Sequence, residues 1–76
     1  MEFKMTITFD KEKLSENEIE TFSLRISEKD YEEITGFINN KEPEKLREKF
    51  KNLKDVNGKE CSVDTLKIVS LSFEGV

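Results

Sequence analysis

Phe3, Met5, Ile7 and Phe9 alternate with Lys4, Thr6 and Thr8 near the start of the chain. A period of two over seven residues predicts a strand with one buried face. Residues 10–18, DKEKLSENE, hold one apolar side chain, Leu14, and predict a loop with a helical turn opening at Ser15. The alternation then resumes, with Phe22, Leu24 and Ile26 on one side and Thr21, Ser23 and Arg25 on the other, which predicts a second half-buried strand.

The period changes after Ser27. Tyr31, Ile34 and Ile38 recur at i, i+3 and i+7, with Phe37 widening the stripe. That spacing predicts a helix over residues 28–39. Ser27 is placed to cap it, Asp30 stands in the capping-box position, and acids fill the first turn. Gly36 inside this helix costs about 1 kcal/mol relative to alanine, and Asn39 and Asn40 suit its end. Pro43 fits the first turn of a second helix, where a missing N–H loses no partner. Leu46, Phe50 and Leu53 form its apolar stripe. Asn57 followed by Gly58 signals a tight turn of type I′. Residues 66–73 predict a last strand: Val69, Leu71 and Phe73 share one face, Leu66 and Ile68 the other. Apolar residues on both faces place this strand in the middle of the sheet beside the first, or imply a bulge between Ile68 and Val69.

The order strand, strand, helix, helix, strand predicts one small α+β domain over residues 1–76, with two helices on one face of a three-to-four-stranded sheet. So small a sheet leaves edges with unpaired backbone groups, which can recruit a partner strand or pair two copies into a homodimer.

Composition narrows the chemistry. The 76 residues include no histidine and one cysteine, Cys61. The usual general base, the commonest transition-metal ligand and any internal disulfide are thereby missing. Cys61 has no base beside it and reads as a structural thiol. The segment 55–60 has the glycine of a calcium loop but lacks the alternating acids before it and the distant bidentate glutamate. No Gly-rich phosphate loop occurs. The expectation is a protein that is not an enzyme and has no metal and no cofactor. No stretch approaches the roughly 18–20 apolar residues needed to span a bilayer, and nothing resembles a secretory leader, so the expected location is cytoplasmic.

Charge supplies the candidate site. Thirteen Lys and Arg face seventeen Asp and Glu, a net charge of −4, the opposite sign from most nucleic-acid binders. Residues 10–33 hold nine acids against four bases, whereas residues 41–54 hold three acids against six bases. Asp10, Glu12, Glu16, Glu18, Glu20, Glu28, Glu32 and Glu33 are the candidate partner-binding face, with Asp30 among them at the start of the first helix. A dense negative face suits a basic surface on a larger protein. In its most concrete form the chain is a small inhibitor of the phage or mobile-element kind, mimicking nucleic acid.

Residues 22–38, FSLRISEKDYEEITGFI, carry a second functional expectation. A short strand with outward Ser23 and Arg25, followed by an N-capped helix, resembles the opening of ribbon-helix-helix DNA-binding proteins. In that family a two-stranded ribbon formed by a dimer enters the major groove. The resemblance implies Thr21, Ser23 and Arg25 as the readers of DNA and helix two as the second helix of the unit. It covers less than half the chain. Glu42 and Glu44 depart from it, because they put negative charge at a helix start that in the family faces phosphate.

Overall fold

A computed structural model describes residues 1–76. Strand β1 (Glu2–Phe9) pairs antiparallel with β2 (Thr21–Ser27) and with β3 (Ile68–Gly75), giving a three-stranded sheet of order β2-β1-β3. Helices α1 (Glu28–Asn39) and α2 (Pro43–Lys51) follow β2 directly in the chain. The architecture is α+β, as the periodicities require.

The alternation in β1 and β2 sets their register. Phe3 lies opposite Ile26, Met5 opposite Leu24, and Ile7 opposite Phe22, so every apolar residue of β2 meets an apolar residue of β1. A slip of one position would turn this whole set towards water. The helices cover that face. Met5, Ile7, Ile26, Ile34 and Phe50 are fully buried, and Leu24, Leu53 and Val63 complete one core. Burying each such side chain stabilises the fold by about 1.5–3 kcal/mol.

The sheet corrects one expectation. The C-terminal strand does lie beside β1, but on the edge, and β1 is the central strand. The apolar residues on both faces of β3 arise from a bulge. Thr8 pairs with Ser70 and Phe9 with Ile68, which leaves Val69 unpaired between them. Ile68, Leu71 and Phe73 thus pack towards the core, while Val69 is 64% exposed and does not share their face.

Helix α1 starts as its sequence dictates: the Ser27 hydroxyl accepts from the Asp30 N–H at 3.1 Å. It ends at Asn39 with Asn40 as the cap, as expected. The next residue, Lys41, takes the left-handed conformation, with φ 53°. The Glu42 N–H reaches the Phe37 carbonyl at 2.9 Å and the Lys41 N–H reaches that of Ile38 at 3.2 Å, the hydrogen bonds of a Schellman cap. Glycine is the usual occupant of that position, because a Cβ there is strained. Gly36, in turn, lies mid-helix with open space where a Cβ would stand. Both Lys41→Gly and Gly36→Ala are therefore expected to stabilise, by about 0.5–1 kcal/mol each. Urea unfolding of each variant checks this.

The Asn57 and Gly58 pair does form a turn, but not of type I′, which requires positive φ at both central residues. Only Gly58 has it, at φ 81°. The Asp55 carboxylate accepts from the Asn57 and Lys59 N–H groups, both at 2.9 Å, and two backbone bonds, Gly58 N–H to the Asp55 carbonyl and Asp55 N–H to the Lys59 carbonyl, both at 3.0 Å, close the turn with it. A single bridge between Lys54 and Glu60 forms there in place of a further strand. Ahead of β2, the short 3₁₀ turn is Lys11–Lys13 and is capped by Asp10. Ser15 opens a separate tight turn instead of a helical one.

Candidate functional site

Residues 10–20, which join β1 to β2, hold five carboxylates and two lysines. The segment is short of apolar residues, so its conformation comes from local hydrogen bonds. The Asp10 carboxylate accepts from the Glu12 N–H at 3.0 Å. Glu18 Oε1 accepts from both the N–H and the hydroxyl of Ser15, at 3.2 and 3.0 Å. The Phe9 N–H donates to the Glu20 carbonyl at 2.8 Å and begins the β1–β2 ladder. Two further contacts tie the loop to the chain ahead of β3: Lys13 Nζ donates to the Leu66 carbonyl at 3.2 Å, and Glu18 Oε2 lies 3.6 Å from Lys67 Nζ. The Ser15 N–H and then its hydroxyl, with a lesser contribution from Lys67, outweigh desolvation and hold the Glu18 carboxyl below its ordinary pKa.

Beneath this loop is an open cleft of about 520 Å³. Phe9, Leu14, Ile19, Phe22, Cys61 and Val63 give it an apolar lining, and Glu18, Asp64 and Lys67 give it charge. Ile19 is 70% exposed. Because Ile19 is itself part of the lining, its exposed surface is contiguous with the apolar cleft, and contiguous exposed apolar surface is what marks contact with another molecule. Half-buried Cys61 donates from Sγ to the Lys59 carbonyl at 3.5 Å. Sequence reasoning missed the contribution of residues 61–67, which lie more than forty positions from the acidic loop in the chain. The signal available was weak: Val63 followed by Asp64, which caps the 3₁₀ turn Thr65–Lys67.

Asp10, Glu12, Glu16, Glu18 and Glu20 all lie on this one connection. Glu28, Asp30, Glu32 and Glu33 lie on α1, beyond the other end of β2. Seven extended residues span about 20 Å, so the acidic region of the sequence occupies two places. The α1 group is also partly neutralised. Lys49 Nζ on α2 lies 2.6 Å from Asp30 Oδ1 and 2.7 Å from Glu33 Oε2. Glu28 is 4.0 Å from the N-terminal ammonium, and Glu32 is exposed.

Lys49 clamps α1 to α2. Partial burial opposes its charge, but the hydrogen bonds and charges of Asp30 and Glu33 more than reverse this and raise its pKa above the ordinary 10.5. A cation whose pKa is raised on folding contributes its full stabilisation below the unfolded value and loses it as pH climbs through the folded value. Lys49→Met is expected to destabilise by about 1–2 kcal/mol at pH 7. The gap between variant and wild type should narrow once the pH passes about 10.5. Denaturant unfolding at pH 7, 9.5 and 11 measures both.

Thr21, Ser23 and Arg25 stand on the sheet face opposite the helices and are exposed. The Ser23 and Thr6 hydroxyls are 3.1 Å apart, and Arg25 Nη1 is 3.7 Å from Glu2 Oε1. On one side β2 pairs with β1 of the same chain along its length. On the other, the Arg25 carbonyl accepts from the Val56 N–H at 3.1 Å. One side of the β2 ladder is thus taken by β1, and one backbone hydrogen bond meets the other.

No group of three or more histidine, cysteine, aspartate or glutamate side chains converges to hold a metal ion. No helix is long and apolar enough to cross a membrane. No family model matches the chain, and no curated protein or solved structure matches it.

Proposed function

We propose that this protein is a non-catalytic, cytoplasmic binding module that presents its acidic β1–β2 connection and the cleft beneath it to a basic surface of a larger protein. The supporting observation is the coincidence of five carboxylates with an apolar cleft and a water-exposed Ile19 at one end of the sheet. Carboxylates steer a cationic partner and set its orientation. The cleft supplies what charge alone does not, a place to bury an apolar anchor from the partner. A groove built for nucleic-acid phosphates offers the required cations, so the most concrete form of the proposal is an inhibitor that occupies such a groove.

The experiment is capture of partners from lysate of the native host by the pure protein, followed by release with increasing salt. A specific partner released by moderate salt is the expected result, because exposed charge pairs are screened within about 10 Å at 0.1 M. Direct, Arg25-dependent binding of duplex DNA by the pure protein would contradict the proposal and favour the ribbon.

A further inference from the structure

The two edges of the sheet are unlike. Along β2 the outer edge is guarded by the Val56 N–H on the Arg25 carbonyl, and by the charge of Arg25 itself. Along β3 protection is confined to the two ends, the bulge at Val69 and the charge of Glu74. The Val76 N–H donates to the Glu2 carbonyl and the Asp10 N–H to the Lys67 carbonyl, so the even-numbered residues of β1 are the ones bonded towards β3. Opposite them stand Ser70, Ser72 and Glu74. Backbone groups alternate in direction along an antiparallel strand; those of Leu71, Phe73 and Gly75 therefore point to the open edge.

Between those ends the edge is unprotected in composition. Residues 68–73 contain no charge and no proline, the usual defences of an exposed edge. Neither helix covers β3 as they cover β1 and β2. Leu71 and Phe73 remain half-buried, and Phe73 meets Tyr31 only edge-on, at 5.2 Å between ring centroids. The bulge at Val69 blunts the start of the strand and leaves its second half free.

We infer that β3 pairs antiparallel with β3 of a second copy, joining two sheets into one of six strands. The strand is complementary to itself. With a twofold axis at Ser72, Leu71 lies opposite Phe73 of the second copy, Ser70 opposite its Glu74, and Ser72 opposite its Ser72. The backbone groups of Leu71 and Phe73 then form about four hydrogen bonds across the axis. On the inner face the two apolar side chains complete one another's cover, and the two cores become continuous. The hydroxyl-rich outer face, with Thr6, Thr8, Ser70 and Ser72, continues unbroken. A lack of charge on residues 68–73 gives no selection for a cationic or an anionic stranger, whereas the large-small-large order of Leu71, Ser72 and Phe73 fits an identical strand. An isologous contact of this kind closes at two copies. The two acidic clefts are then carried on one particle, pointing in opposite directions.

Ser72 makes the test sharp, because it is exposed in the single chain and sits on the axis of the dimer. Directly opposed like charges on neighbouring strands repel. Sedimentation equilibrium of the wild type at about 100 μM should give twice the chain mass, the micromolar regime suited to an interface of small area. Ser72→Lys and Ser72→Glu should each give a single chain with unchanged circular dichroism, and an equimolar mixture of the two should restore the double mass. Ser23→Lys, an equally exposed change on the same sheet face but on β2, should remain paired. A wild type that stays single at about 500 μM, or a Ser72→Lys protein that stays paired, overturns the dimer. Failure of the mixture to reassemble overturns the placement of Ser72 on the axis.

Discussion

Phe50→Ala leaves the protein largely unfolded at 37 °C. Phe50 is the largest fully buried side chain in the core. It projects from α2 into the space between the helices and the sheet, and its carbonyl accepts from the Val63 N–H at 2.9 Å. Truncation of a buried phenylalanine costs about 3–5 kcal/mol, from lost transfer energy and the cavity left behind. A domain of this length has in total about 4–11 kcal/mol of stability, and with eight buried residues this core belongs at the lower end. The cost thus approaches the whole. Circular dichroism during heating checks it: loss of the cooperative transition at 37 °C is expected, whereas a fall in midpoint of only a few degrees would mean that the core is distributed differently.

The second large effect concerns recognition. Glu12→Lys, Glu16→Lys and Glu20→Lys together change the charge of the β1–β2 connection from −3 to +3, each reversal adding two units. None of the three side chains is buried or takes part in an ion pair, so the fold should be unaffected. Loss of three favourable pairs and gain of three repulsive ones should weaken binding of a captured basic partner at least about 100-fold at low salt, with most of the change in association rate. Glu32→Lys, on α1, is the matched control and should change affinity less than about threefold. Glu33→Lys is unsuitable as a control, because Glu33 holds Lys49 and its reversal would loosen the helix pair. Surface plasmon resonance measures all of these. Equal losses for the α1 and loop variants would mean that the partner spans both acidic groups.

Much of the fold was legible in the residues because local signals agreed with one another. The alternation of Phe3, Met5, Ile7 and Phe9 had only one way to bury its apolar set. Ser27 and Pro43 marked two helix starts by mechanisms that need no tertiary context. The position of β3 was not legible. Its apolar residues on both faces fit a central strand as well as a bulged edge strand, and the choice is made by pairing with β1, a contact across some sixty residues of chain. The same holds for the site. Nine acids within residues 10–33 look like one cluster in sequence, but β2 runs through their middle and carries the chain across the sheet. What completes the loop as a surface is the cleft lining from residues 61–67, which only the return of the chain into β3 brings near.

Hydrogen–deuterium exchange of the protein, free and saturated with a partner captured from its host, tests the binding surface most directly. Residues 10–22 and 61–67 should gain protection together, while the amides around Arg25 and Glu32 remain as they are in the free protein. Protection confined to the open sheet face around Thr21, Ser23 and Arg25, with the acidic loop still exchanging freely, would contradict it.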